Sequence, residues 1–178
     1  LPYGNSVVHK IPKVVIGSDD RSFTPWAYPY STVGQTEIGC TATMVGRMVA
    51  VTAAHCVKYS TGTITFGRGF NGSHTGEALT TIGWDPNMGW MGVKWVPLPT
   101  SKESAKAYPW LSGWSTGYGA KGGSYDNLNR LKRGSVSQTG GGRYPNWIAS
   151  YDIEPGDSGS SFVQDSDGRV ISILNAHP

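Results

Sequence analysis

Short runs of apolar and β-branched residues alternate along the chain with turns rich in glycine, asparagine and proline. Residues 43–52, 62–66, 92–96 and 169–174 have the composition and length of β-strands. Residues 102–107 instead predict a short helical turn or a connector. The pattern therefore predicts an all-β protein built from many short strands.

Composition supports this prediction. The 178 residues suffice for one substantial domain, or for two small β units packed together. Only 15% of the residues are charged, and 25 are glycine, which favours strands joined by turns over long amphipathic helices. No apolar run is long enough to span a membrane, so we expect no membrane partner.

The net charge of +3 is mild. The densest basic stretch, Arg130-Leu131-Lys132-Arg133, alternates with an apolar residue on a predicted strand, and we interpret it as a solvated strand face. Nucleic-acid binding requires a broader basic surface, so we expect no nucleic-acid partner.

Two short motifs carry the candidate chemistry: Thr52-Ala53-Ala54-His55-Cys56 and Gly156-Asp157-Ser158-Gly159-Ser160. A serine hydroxyl is a poor nucleophile at neutral pH and needs an imidazole to take its proton. His55 and Ser158 supply these groups, and a tight turn at Gly156 would point the N–H groups of Gly156 and Ser158 at one spot, an oxyanion hole. Taken singly, each motif is also compatible with an ordinary turn or a structural histidine.

Together the motifs resemble the chymotrypsin-like serine peptidases, nearest the secreted glutamyl-endopeptidase branch. The resemblance covers about residues 14–176. Further segments that carry it are Val14-Val15-Ile16-Gly17-Ser18-Asp19-Asp20-Arg21, Tyr28-Pro29-Tyr30, Gly117-Tyr118-Gly119, Gly134-Ser135-Val136 and Asp152-Ile153-Glu154-Pro155.

The resemblance implies two six-stranded-type antiparallel β-barrels, the first at about residues 14–100 and the second at about 108–178. It implies a disulfide between Cys40 and Cys56, the only two cysteines, and hence a secreted, extracellular protein. The alternative is two buried free thiols. It also implies a monomeric endopeptidase that acts on polypeptides without a metal or an organic cofactor.

The third member of the catalytic triad departs from the family pattern. Family members place an aspartate on the strand that matches residues 90–98, and this segment contains no carboxylate. The nearest acid is Asp85, which we treat as a candidate partner for His55. An equally good interpretation is that Asp85 initiates a turn before Pro86.

Three residues match the family's primary specificity pocket: Asp152, Ser172 and Leu174. Glutamyl endopeptidases carry a histidine where this chain has Leu174, so the resemblance does not imply a preference for glutamate. Asp152 matches the acid by which trypsin-like enzymes select basic residues. The glutamyl branch has the same aspartate without that role.

The two ends of the chain also bear on function. We interpret residues 1–13 as a propeptide remnant or a surface arm; in a zymogen, trimming would free an amine for which Asp157 is a candidate partner. Otherwise Asp157 bonds local backbone amides. Because the chain stops at Pro178, we expect the second barrel to be incomplete. These departures favour an alternative function, a catalytically weak or inactive homologue that binds a protein partner.

Overall fold

The computed structural model describes residues 15–25, 27–57, 65–68, 80–81, 89–97, 99–139 and 146–175. These residues form short strands, two short α-helices and a 3-10 turn at Tyr30–Thr32. The strands are β1 (Ser22–Phe23), β2 (Val33–Thr36), β3 (Thr41–Gly46), β4 (Val49–Val51), β5 (Thr65–Arg68), β6 (Thr80–Thr81), β7 (Leu111–Gly117), β8 (Arg130–Thr139), β9 (Asn146–Ala149), β10 (Ser161–Gln164) and β11 (Val170–Ile173). The helices are α1 (Ala54–Val57) and α2 (Lys102–Lys106).

The first sheet has five antiparallel strands in the order β4-β3-β2-β5-β6. The prediction of one strand over residues 43–52 was wrong, because β3 and β4 form a hairpin there. The pairing register shifts between Met44 and Gly46, and Met48 is exposed at the turn. The hairpin leads directly into α1, which carries His55.

The second sheet has six strands. Five follow the order β1-β8-β7-β10-β11, and β9 pairs with the C-terminal part of β8. The predicted strand at residues 169–174 is confirmed as β11, and the predicted helical turn is confirmed as α2, which Ser101 caps. Residues 92–96 do not form the predicted strand; only Val93 makes an isolated bridge, to Val170. Strand β1, from the start of the described chain, pairs with β8 and so belongs to this sheet.

The predicted all-β class is confirmed by these two antiparallel sheets. No closed barrel is found among the residues that the structure describes. A backbone hydrogen bond from Thr41 N, in β3, to Ser158 O (2.8 Å) joins the first sheet to the loop before β10, and one from Met91 N to Met44 O (2.9 Å) attaches the segment around Met91 to β3. Met91 also belongs to a buried cluster with Trp114, so these contacts are part of the core. In the part of the chain described, no helix is long and apolar enough to cross a membrane.

The interpretation of residues 130–133 as a solvated strand face was wrong. Arg130 and Lys132 are 2% and 1% exposed, and only Arg133 turns outward to solvent. The strand alternates as expected, but Arg130 and Lys132 point inward. Arg130 pairs with Asp126, which lies four residues earlier and is partly exposed, and Lys132 pairs with the buried carboxylate of Asp157, which is distant in sequence.

Candidate active site

The two motifs that carry the candidate chemistry lie against each other. The N–H of Thr41 donates to the carbonyl of Ser158, and the Thr52 hydroxyl donates to the carbonyl of Thr41 at 2.7 Å. The predicted disulfide between Cys40 and Cys56 is confirmed. It fixes α1 to the start of β3, and therefore fixes the residue that follows His55 beside the Ser158 loop.

Gly159 allows this close approach. Its φ is +90°, which side chains rarely adopt, and a Cβ atom there would collide with the carbonyl oxygen of Thr41 and the hydroxyl of Thr52. Its N–H donates to the carbonyl of Leu174 at 2.8 Å. The glycine after Ser158 thus serves as a contact point among the loop, the His55 motif and the end of β11.

Asn175 orients the imidazole of His55. Its side-chain oxygen Oδ1 lies 2.8 Å from Nδ1 of His55. Since an amide oxygen can only accept, Nδ1 carries the hydrogen, and Nε2 of the neutral ring is then a proton acceptor. Asp85, the partner suggested from sequence, lies outside the described residues.

The turn before Ser158 is where the sequence predicts an oxyanion hole, and it has a defined conformation. Gly156 has φ +105°, and a Cβ atom there would lie 2.5 Å from the carbonyl oxygen of Tyr118. The turn is held by hydrogen bonds from Asp157 N to Glu154 O (3.0 Å) and from Ser160 N to Asp157 O (2.9 Å). Among the described residues, the backbone N–H groups of Gly156 and Ser158 have no hydrogen-bond acceptor.

Asp157 points away from this turn into the protein interior, where its carboxylate is fully buried. It accepts hydrogen bonds from the N–H groups of Gly119 (3.1 Å) and Glu154 (3.0 Å) and forms an ion pair with the ammonium of Lys132. Burial lowers the pKa of Lys132, and the carboxylate of Asp157 opposes this shift. Asp157 therefore bonds one local amide, that of Glu154, as expected, and in addition the amide of Gly119 and the ammonium of Lys132, which are distant in sequence.

The Asp157 pair belongs to a larger set of buried charges. Arg21 lies 3.9 Å from Asp157 and donates to the carbonyl of Ala120 at 2.8 Å. Charged side chains that are at most 5% exposed number three of each sign, so the group is formally neutral. They are Arg21, Arg130, Lys132, Asp152, Glu154 and Asp157. Charge balance of this kind makes the burial of these ions behind the Ser158 loop tolerable.

The residues that matched a specificity pocket separate into two groups. Ser172 and Leu174 are half-buried, and Leu174 exchanges backbone hydrogen bonds with Gly159 and Ser160 (both 2.8 Å) beside the Ser158 loop. Asp152 is instead buried, and its Oδ1 accepts the backbone N–H of Ile16 at 2.7 Å. Asp152 thus anchors the start of the described chain.

Sequence reasoning missed Asn175 and Lys132. Asn175 follows β11 by two positions, and nothing local indicates that it meets a histidine 120 residues earlier.

Ligand atoms of Cys40, His55 and Cys56 lie within 4.8 Å of one another, but both sulfurs are consumed in the disulfide and provide no thiolate for a metal. Residues 1–14 and 176–178, on which the propeptide and barrel-completion predictions rest, lie outside the described residues.

No protein-family model matches this chain, and a search of curated proteins finds no match.

Proposed function

We propose that the protein is a chymotrypsin-like serine endopeptidase that cleaves polypeptides through an acyl-enzyme on Ser158. The observation that carries the proposal is the hydrogen bond of His55 to Asn175, which sets the ring for general-base chemistry beside a serine loop with two available N–H groups. The disulfide is compatible with an extracellular protein.

Catalysis in this proposal uses the serine–histidine scheme. The Ser158 hydroxyl attacks the scissile carbonyl carbon while Nε2 of His55 takes its proton. The carbonyl oxygen gains the negative charge, and the N–H groups of Gly156 and Ser158 stabilise it. The imidazolium then gives its proton to the leaving amine, the C–N bond breaks, and water repeats the sequence to release the acid and restore Ser158.

Asn175 defines what is unusual in the proposed triad. A neutral amide fixes the tautomer of His55, but it stabilises the imidazolium less than a carboxylate would. This observation favours the second candidate function, a catalytically weak homologue that binds proteins at the same site. Substrate side chains would meet Ser172 and Leu174. Asp152 is already engaged by Ile16, which argues against selection of basic residues by this acid.

A fluorophosphonate probe tests the proposal directly, because it reacts only with an activated serine next to a formed oxyanion hole. We expect stoichiometric labelling of the folded protein, detected as a mass shift on the peptide that contains Ser158. The Ser158→Ala and His55→Ala variants should remain unlabelled. Absence of labelling in a protein whose circular dichroism shows a cooperative unfolding transition would reject the enzyme and favour the binding function.

Two substitutions of Asn175 test the origin of the activity. Asn175→Ala should slow labelling, because the imidazole loses its orienting partner. Asn175→Asp should speed labelling by about tenfold, since a hydrogen bond to a charged group is worth about 1–2 kcal/mol more than a neutral one. Equal rates for the two variants would remove Asn175 from the proposed triad.

A further inference from the structure

The carboxylate of Asp157 lies behind the Ser158 turn and is enclosed by the backbone at the end of β7. Asp157 is fully buried. A Cβ atom at Gly117 would lie 2.5 Å from its Oδ1, and a Cβ atom at Gly119 would lie 2.6 Å from its Cγ. Not even a methyl group fits at these positions, so the described backbone leaves no room for a further ligand on this side of the carboxylate.

Each oxygen of this carboxylate has one amide donor and faces one cation. Oδ1 accepts the N–H of Gly119 at 3.1 Å and pairs with the ammonium of Lys132. Oδ2 accepts the N–H of Glu154 at 3.0 Å and lies 3.9 Å from the guanidinium of Arg21. A carboxylate has about four lone-pair positions, and a buried one must also be paired in charge. The two amides and the two cations meet both needs.

Both cations are side chains of internal residues that the second sheet and its connections hold. Lys132 is 1% exposed on β8, where its backbone pairs with Ser115 of β7. Arg21 is 5% exposed and donates to the carboxylate of Asp19 at 2.9 Å and to the carbonyl of Ala120 at 2.8 Å. The two cations therefore reach their positions as the sheet forms, and neither is supplied by a chain terminus.

The start of the described chain binds a different acid. The N–H of Ile16 donates to Oδ1 of Asp152 at 2.7 Å, and this N–H belongs to the ordinary peptide bond that links Ile16 to Val15. The groups around Asp157 are thus all in place in a chain that has not been cut.

We propose that the two buried cations hold the Ser158 turn in place through Asp157, so that the uncut chain already carries a competent oxyanion hole. The inference rests on the proposed function, because it concerns the same turn. Asp157 lies between Gly156 and Ser158, whose N–H groups are the proposed oxyanion donors, and the position of its side chain fixes the direction of both. Lys132 and Arg21 act through Asp157 and are therefore positioning residues.

Labelling of the uncut chain tests this proposal, since trimming of residues 1–13 is then not the step that makes Ser158 reactive. The full chain is prepared with an acetylated N-terminus, so that its terminal amine carries no charge, and is treated with a fluorophosphonate. Intact-mass measurement should find the adduct on the species that keeps the acetyl group and all 178 residues. An adduct found only on species that have lost N-terminal residues would overturn the proposal and still support the serine peptidase.

NMR tests the positioning role without any labelling. Lys132→Met keeps most of the side-chain volume, removes the ammonium and should displace the ¹H–¹⁵N signals of Gly156 and Ser158. Arg133→Met, which removes an exposed charge on the same strand, should leave both signals in place. Unmoved signals in folded Lys132→Met would overturn the proposal.

The two measurements cover each other. The acetylated chain needs no substitution, so its labelling decides the proposal even where Lys132→Met does not fold. If a fluorophosphonate labels no form of the protein, the proposed function fails, and the signals of Gly156 and Ser158 alone decide whether the cations set the turn.

Discussion

Replacing Lys132 by methionine probes how the Ser158 loop is held. The substitution keeps most of the side-chain volume and removes the ammonium that pairs with Asp157. Removing one partner of a buried ion pair typically costs about 3–5 kcal/mol. Asp157 would keep the N–H groups of Gly119 and Glu154, with Arg21 at 3.9 Å, so we expect the lower end, about 3 kcal/mol.

This loss has a measurable size. For a domain of 178 residues, about 3 kcal/mol corresponds to a fall in Tm of about 6–12 °C. The matched control is Arg133→Met on the same strand. Its guanidinium is exposed and lies 3.7 Å from Asp165, so its removal should cost at most about 1 kcal/mol.

Activity should respond more strongly than stability. Asp157 lies between the two proposed oxyanion donors, Gly156 and Ser158, and a misplaced donor costs about 100-fold or more in rate. The Lys132→Met variant, assayed below its unfolding transition, should therefore react with a fluorophosphonate about 100-fold more slowly than Arg133→Met. The double variant Lys132→Met/Asp157→Asn should regain part of the stability, because no buried charge is left without a partner.

The reasoning fails if Lys132→Met unfolds at the same temperature as Arg133→Met. It fails equally if the variant is less stable but, while folded, labels Ser158 at the wild-type rate. The first result would mean that the ion pair contributes nothing to stability. The second would mean that Asp157 does not set the loop geometry.

Three further outcomes follow from the site and its surroundings. Gly156→Ala should reduce fluorophosphonate labelling at least about tenfold, because alanine disfavours φ +105° and its methyl group would meet a backbone carbonyl; unchanged labelling would contradict this. Arg21 lowers the pKa of Asp19 to about 2, so stability should fall as pH drops from about 4 to about 2, and Asp19→Asn should flatten that slope in acid-denaturation curves. Replacing Cys40 and Cys56 by alanine should cost about 3 kcal/mol in urea unfolding; a cost near zero would refute the stabilising role of the disulfide.

Local sequence signals were sufficient for the features that depend on short segments. The all-β class, α2 and β11 were predicted from residue type and spacing, and the disulfide from family resemblance. The sequence predicts one strand over residues 43–52, where the structure has a hairpin, because Gly46-Arg47-Met48 lacks the usual two-residue turn signals. An exposed turn inside an apolar run is easily missed.

The long-range features could not be predicted in this way. Alternation along β8 indicates correctly that Arg130 and Lys132 share a face, but not whether that face is solvated. For Lys132 the answer depends on Asp157, which is distant in sequence and meets it only in the assembled sheet, whereas Asp126 lies four residues before Arg130. Such buried charges look like surface charges in a single sequence, since most lysines and arginines are exposed.

The end of β11 connects the two halves of the proposed catalytic machinery. The carbonyl and N–H of Leu174 bond to Gly159 and Ser160, and the next residue, Asn175, accepts from His55. Leu174 thus holds the Ser158 loop against the end of β11, and the adjacent Asn175 sets the tautomer of the His55 imidazole. Asn175 directly follows β11, and the position of β11 is set by its register with β10. The orientation of His55 is therefore coupled to the packing of the second sheet.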